Sequence, residues 1–138
     1  NWYARALDGP VVAALASDSC GVLYTATSAY GFGNQNTSGS SWYVQPLNGP
    51  VLGSAQASGR IVLYTASAAY GFGYQSTSGS SWYTTTMADT PLGHVVAGNR
   101  IVVYTPTTAH GFGFQSTSGS NWYNTSLNAE PAGGIGTR

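Results

Sequence analysis

Charged side chains are nearly missing from this sequence. They make up 6% of the 138 residues, lysine is absent, and four arginines balance four acidic residues to a net charge of zero. Proteins that bind nucleic acid usually present a clustered basic surface that neutralises phosphates. Four arginines spread along the chain cannot form such a surface, so we predict no nucleic-acid partner.

Cysteine and long apolar runs are also lacking. The single cysteine, Cys20, excludes a disulfide framework within the chain, and no apolar run approaches the ~20 residues that cross a bilayer as a helix. We therefore expect no membrane insertion. The chain starts at Asn1 rather than methionine and carries glycosylation triplets at Asn36 and Asn124. These features favour a secreted or cell-surface protein, with a cytoplasmic location as the alternative.

Residues that perform acid–base or metal chemistry are few, and they do not recur. The acidic residues and histidines stand at inequivalent places: Asp8, Asp18, Asp89, Glu130, His94 and His110. Cleavage of a glycosidic bond needs two positioned carboxylates, a serine nucleophile needs an adjacent histidine, and a metal site needs convergent ligands. We predict no enzymatic activity, no cofactor and no metal site.

What the sequence does contain is a 40-residue internal repeat. Tryptophan recurs at Trp2, Trp42, Trp82 and Trp122, and the triplet Gly-Phe-Gly recurs at 31–33, 71–73 and 111–113. Between residues 30–43 and 70–83, 12 of 14 positions are identical. We predict a single repeat domain over residues 1–138, with repeats at 1–40, 41–80 and 81–120 and a partial repeat at 121–138.

Each repeat predicts four short strands separated by turn residues. In the second repeat these are an apolar stretch at 51–57, a β-branched and aromatic stretch at 61–65, the segment through Gly-Phe-Gly, and the segment that starts at Trp82. A Ser-Gly-Ser turn precedes the last strand in every copy. No segment has a sustained helical period, so the fold is predicted to be all-β.

Four antiparallel strands per 40 residues are typical of a β-propeller blade, with a β-trefoil as the alternative. A trefoil closes after three units, whereas here a fourth Trp-Tyr pair follows at Trp122 and a further first strand is predicted near 131–138. Three blades cannot close a ring, and open sheet edges invite pairing with another chain. We predict either a homo-oligomer, most simply a dimer, that completes a six- or seven-bladed ring, or a fragment of a longer array.

Two segments recur together in this pattern. They are Ile61-Val62-Leu63-Tyr64 with Gly79-Ser80-Ser81-Trp82-Tyr83, and Ile101-Val102-Val103-Tyr104 with Gly119-Ser120-Asn121-Trp122-Tyr123. In this pairing the unit resembles the repeat of fucose-binding β-propeller lectins of the fungal and soil-bacterial type. The resemblance implies the propeller architecture and, as in some members of that family, a ring built from several short chains. Its fucose site is not matched, since Val62 and Val102 stand where the family has its arginine, and Thr77 and Thr117 where it has a tryptophan.

Aromatic and neutral polar residues recur at equivalent places and make up the predicted binding set. The C–H face of a sugar can lie on an aromatic ring, while amides donate and accept hydrogen bonds. We predict a lectin that binds neutral glycans at several equivalent shallow sites between repeats and gains strength from multivalency. The predicted ligand-binding residues are Arg60, Arg100, Gln35, Gln75, Gln115, Trp42, Trp82, Trp122, Tyr64 and Tyr104.

Two alternatives accompany this prediction. The recurring tryptophans and tyrosines also fit as core between repeats, with each indole N–H bonded to a backbone carbonyl, and the arginines fit as residues of solvated turns. The chain as a whole could also be a structural or self-assembling surface or adhesive protein without enzymatic activity, since open sheet edges can grow into larger assemblies.

Overall fold

The computed structural model describes residues 2–35, 39–74, 79–114 and 120–127 of the chain. These residues form twelve strands in three antiparallel sheets and contain no helix, so the predicted all-β tandem repeat is confirmed. The further strand predicted near 131–138 lies outside the described residues.

Each sheet consists of four consecutive strands, and each strand pairs with the next one along the chain. Sheet 1 contains β1 (Ala13–Ala16), β2 (Gly21–Tyr24), β3 (Ser28–Gln35) and β4 (Gly39–Pro46). Sheet 2 contains β5 (Gly53–Ala57), β6 (Arg60–Tyr64), β7 (Ala68–Tyr74) and β8 (Ser80–Thr86). Sheet 3 contains β9 (Gly93–Ala97), β10 (Arg100–Tyr104), β11 (Thr108–Phe114) and β12 (Ser120–Ser126).

The sheets start at residues 13, 53 and 93, twelve residues after the predicted repeat boundaries at 1, 41 and 81. A repeating sequence has no intrinsic starting point. The first residue of each structural unit is therefore set by which four strands form one sheet. That order begins with the apolar strand and ends with the strand that carries Trp-Tyr, as the strand pattern predicted.

The three sheets stack face to face in chain order, with sheet 2 in the middle. Side chains alternate along a strand, so each sheet has a forward face toward the next sheet and a rear face toward the previous one. In β6, Ile61 and Leu63 pack against sheet 1, while Val62 and Tyr64 pack against sheet 3. The uninterrupted apolar sequence of β6 follows from this burial on both sides, and all five of its residues are buried.

A close contact that recurs between sheets is made by a phenylalanine ring and a glycine. The Phe72 ring lies on Gly31 of sheet 1, and the Phe112 ring lies on Gly71 of sheet 2. A Cβ atom on either glycine would lie 2.6 Å from the ring, and both rings are fully buried. The recurring Gly-Phe-Gly triplet therefore supplies a niche on the forward face and a ring on the rear face of the same strand.

A tryptophan beside each phenylalanine ties the outer strands of neighbouring sheets together. The Trp82 indole Nε1 donates to the Tyr43 carbonyl at 3.0 Å, and Trp122 Nε1 donates to the Tyr83 carbonyl at 2.9 Å. Ring centroids of Phe72 and Trp82 are 4.9 Å apart. The recurring tryptophans thus occupy the place between repeats, with a satisfied N–H, that a core role requires.

The segment that enters each sheet is fixed by a polar residue at its start. Asp8 accepts hydrogen bonds from the hydroxyls of Thr25, Thr27 and Ser28 at 2.6–2.7 Å. In the second repeat Asn48 accepts from Thr65 Oγ1 at 2.6 Å and donates through Nδ2 to Ser67. The hydrogen bonds from Thr25, Ser28 and Thr27 lower the pKa of the Asp8 carboxyl well below its usual value.

We expect Gly71→Ala to destabilise the fold. The added methyl group would collide with the Phe112 ring, and overpacking of this kind costs about 1–3 kcal/mol. The free energy of unfolding from urea titration measures the effect. Gly49→Ala is the matched control because a Cβ there meets no atom within 4 Å. Equal stability of the two variants would contradict the close contact.

We expect Asp8→Asn to flatten the dependence of stability on pH at the acid end. A carboxyl whose pKa is lowered in the folded state stabilises fully above the unfolded value of about 3.9 and loses that contribution as the pH falls through the folded value. Asparagine keeps the contacts, as Asn48 does in the second repeat. Thermal unfolding across the acidic range should show a smaller loss in the variant, and equal slopes would contradict the role of Asp8.

Candidate functional site

An open groove crosses the outer strands of sheets 1 and 2. It encloses about 530 Å³ between the N-terminal segment, β4 and β8. The residues that line it are Arg5, Trp42, Tyr43, Val44, Gln45, Ser81 and Trp82. Its floor is therefore rigid β-sheet, while one wall comes from the segment before the first sheet.

Strand alternation decides what each residue offers to this groove. Along β4, Tyr43 lies on the forward face and packs in the core with Phe72 of sheet 2 at a ring distance of 5.9 Å. Trp42 and Val44 lie on the rear face, and Val44 is 37% exposed. Gln45 is half-buried next to them, and its Nε2 donates to the Pro46 carbonyl at 2.8 Å.

The groove combines two indoles, a phenol, an amide, a hydroxyl and one guanidinium group, and none of its lining residues is acidic. The N–H groups of Trp42 and Trp82 already donate to backbone carbonyls. What the indoles can offer a ligand is therefore ring surface. Gln45 retains its side-chain oxygen and a second N–H, so it can both accept and donate.

The equivalent positions one repeat later lie across β8 and β12. They are Gln45, Trp82, Tyr83, Thr84, Thr85, Asn121 and Trp122. Both indoles recur, but threonine replaces glutamine at position 85, and that residue is buried and bonded to Asn124 Nδ2 at 3.0 Å. These positions thus share the aromatic frame of the groove between β4 and β8 but differ in polar groups.

Arg60 lies at the interface of sheets 2 and 3 and is 3% exposed. Its Nε donates to Ser120 Oγ at 3.1 Å and its Nη1 donates to the Asn99 carbonyl at 3.0 Å. Burial, aided by the positive charge of Arg100, lowers the pKa of Arg60. This guanidinium joins two sheets, in contrast to Arg100, which is exposed at the start of β10.

The structure does not gather the predicted site residues into one place. Arg60 lies on the forward face of sheet 2 and Trp82 on its rear face, so a full sheet separates them. Arg60 does share an interface with Trp122, whose ring packs against the core between sheets 2 and 3. Arg100 lies on the forward face of sheet 3, away from both.

Of the two predicted tyrosines, Tyr64 belongs to the core between sheets 2 and 3, whereas Tyr104 lies on the forward face of sheet 3. Tyr64 is buried, its hydroxyl is 2.9 Å from His94 Nδ1, and burial raises its pKa. Tyr104 is half-buried beside Gly93. Gln35 is the last residue of β3, whereas Gln75 and Gln115 lie outside the described residues.

The groove contains residues that the sequence interpretation missed, chiefly Arg5, Gln45 and Ser81. Recurrence was the criterion for the predicted set, and position 5 of the repeat carries arginine, glutamine and threonine in turn. Alternation of side chains along a strand could have identified Gln45. It lies two residues beyond Tyr43 and therefore shares a face with it.

Within the described ranges, no three His, Cys, Asp or Glu side chains lie close enough to hold a metal ion. Nor do those ranges include a helix whose length and hydropathy would let it span a bilayer.

Comparison with known protein families, curated proteins and solved structures gives no match to this chain. The functional conclusion therefore depends on the geometry of the chain itself.

We expect Arg60→Met to lower the free energy of unfolding by about 1–3 kcal/mol, because Ser120 and the Asn99 carbonyl lose a charged partner in a buried place. Arg100→Met is the matched control, and an exposed substitution of this kind usually stays within about 0.5 kcal/mol. Urea titration of both variants measures the difference. An Arg60→Met protein as stable as the control would show that the guanidinium is dispensable.

Proposed function

We propose that this protein is a lectin that binds neutral glycans in shallow grooves across the outer strands of its sheets. The observation that carries the proposal is the groove between β4 and β8, which is lined by residues that include Trp42, Trp82 and Gln45 and by no carboxylate. Aromatic rings accept the C–H face of a sugar, and an amide meets hydroxyls as donor and acceptor.

Low charge supports a neutral ligand in this groove. Arg5 is the one charged residue among those that line it, and guanidinium donors pair with sugar hydroxyls as well as with anions. The groove is open, so one groove alone would bind weakly. Linked sites raise apparent affinity by roughly 10²–10⁴ without new contacts, and the repeat places residues equivalent to those of the groove at 40-residue intervals.

We further propose that the three sheets are consecutive blades of a β-propeller whose ring is completed by a second copy of the chain. Two features support this: the sheets are four-stranded meanders of the blade type, and adjacent sheets repeat the same Phe–Gly and Trp–carbonyl contacts. A dimer would supply six blades. The proposed protein is non-enzymatic and acts outside the cell or on its surface.

A second candidate is a structural or adhesive surface protein that assembles through its open sheet edges. Exposed apolar residues near the first sheet favour it, since Val11 and Val12 are 49% and 63% exposed. Finite particles with glycan affinity support the lectin, whereas filaments without it support this alternative.

A glycan array of neutral oligosaccharides, followed by calorimetric titration of the strongest ligand, tests the lectin proposal. We expect Gln45→Ala to weaken binding about 2- to 12-fold, the value of one hydrogen bond. Gln56→Ala, an exposed glutamine on β5 far along the sheet, is the matched control and should bind like the wild type. Absence of binding to every neutral glycan, or equal binding by both variants, would contradict the proposed groove.

A further inference from the structure

The segment before the first sheet imitates the outer strand of a sheet that would precede it. The Tyr3 carbonyl accepts the Trp42 indole N–H at 2.8 Å, as the Tyr43 carbonyl accepts that of Trp82. The Tyr3 and Phe32 ring centroids are 6.0 Å apart, against 5.9 Å for Tyr43 and Phe72. Residues 2–7, here named the N-terminal cap, therefore occupy the place of an outer strand.

The N-terminal cap lies there without belonging to a sheet. None of its residues is in a strand, and all of them are exposed, with Trp2 at 100% and Tyr3 at 45%. In the interior interfaces the same place is taken by β4 and β8, each paired along its length with a third strand. The cap is thus held by few contacts compared with the strands that it imitates.

At the other end, the forward face of sheet 3 presents an unfilled niche. Gly31 and Gly71 each receive a phenylalanine ring, whereas the nearest atom of the described residues to a Cβ on Gly111 would be the Tyr123 carbonyl oxygen at 3.7 Å. A cavity of about 140 Å³ opens beside it, lined by residues that include Val102, Gly113 and Tyr123. On this face Arg100 is exposed and Tyr123 is 51% exposed.

Arg100 on the same face differs from its counterpart in sheet 2 in its burial. Its counterpart Arg60 is buried and donates to Ser120 Oγ and to the Asn99 carbonyl of the next sheet. Arg100 is exposed and stands at the same place on sheet 3. The positions equivalent to those acceptors one interface later are Ser40 and Ser19 of sheet 1.

The rear face of sheet 1 carries the matching half. Phe32 is only half-buried, whereas Phe72 and Phe112 are fully buried by the sheet before them. An apolar cavity of about 290 Å³ lies beside Phe32, Leu15 and Leu23. Part of this space exists because Gly21 stands where the other repeats have Ile61 and Ile101.

We propose that a second copy of the chain docks its sheet 3 onto sheet 1 of the first, with Phe32 against Gly111 of the second copy, and that the N-terminal cap is displaced by β12 of that copy. The inference rests on the proposed ring and does not require glycan binding, although the displaced cap includes Arg5 of the groove between β4 and β8. It names the two surfaces that close the ring and the segment that competes for one of them.

When the cap is displaced, the contacts that it makes are replaced by equivalent contacts from the second copy. Tyr123 and its carbonyl take the place of Tyr3 and its carbonyl on Phe32 and Trp42. The net gain in binding free energy comes from two contacts that the cap does not make. These are the Phe32 ring in the Gly111 niche and the contact of Arg100 with Ser40. Because Gly21 replaces a larger side chain, the interface between the two copies is less tightly packed than the interfaces between sheets within one chain. Docking of the second copy is therefore weaker than stacking within the chain, and it depends on concentration.

Sedimentation velocity over a range of concentrations tests the proposal on the full chain. We expect reversible association of the wild type and its loss in Gly111→Ala, because the methyl group fills the niche and makes only ordinary van der Waals contact with the described residues of its own chain. Gly49→Ala is the matched control and should associate like the wild type. Thermal unfolding at low concentration checks that Gly111→Ala is folded.

Tyr3→Ala tests the cap. Loss of its ring contact with Phe32 weakens the competitor, so association should tighten about 2- to 12-fold, the range expected for one aromatic pair. A wild type that stays monomeric at every concentration, or that associates equally well with Gly111→Ala, would overturn the docking surfaces. An unchanged affinity in Tyr3→Ala would overturn the role of the cap.

The glycan and assembly proposals fail separately. Gly111 and Tyr3 do not line the groove between β4 and β8. If the variants associate as predicted but no glycan binds, the lectin proposal is contradicted and the docking proposal stands. If a glycan binds and the protein stays monomeric at every concentration, the docking proposal is contradicted and the lectin proposal stands.

Discussion

The contact of a phenylalanine ring with a bare glycine backbone is the constraint on which the rest of this structure depends. Stacked sheets lie roughly 10 Å apart, and a ring that stands between them needs a place where the opposite sheet has no side chain. Gly31 and Gly71 provide that place for Phe72 and Phe112. Each Gly-Phe-Gly strand carries a glycine niche on one face and a phenylalanine ring on the other. Every sheet can therefore insert a ring into one neighbouring sheet and receive a ring from the other.

This arrangement explains why the most regular residues of the repeat have structural roles. A contact that is rebuilt at each interface requires the same side chains each time, so the recurring tryptophan and phenylalanine act in stacking. Residues that vary from repeat to repeat are released from this requirement. Arg5 and Gln45 belong to that second class, and they give the outer groove its polar character.

The period, the turn residues and the apolar stretches were sufficient to predict four strands per repeat and an all-β fold. They could not predict which residues share a face, because register between strands is set by pairing and a one-residue shift reverses every side chain. Arg60 and Trp82 were therefore placed in one predicted site although they lie on opposite faces of sheet 2. Gln45 was missed because recurrence, rather than strand alternation, guided the choice of site residues.

Proton chemical shifts of the three equivalent glycines test the central contact most directly. The Hα of Gly31 and Gly71 points at the face of an aromatic ring, which should move its resonance upfield, while Gly111 has no ring on it in the separate chain. We expect upfield shifts at residues 31 and 71 at all concentrations, and at residue 111 only as concentration rises. Ordinary shifts at all three glycines throughout would contradict both the stacking of the sheets and the docking surface derived from it.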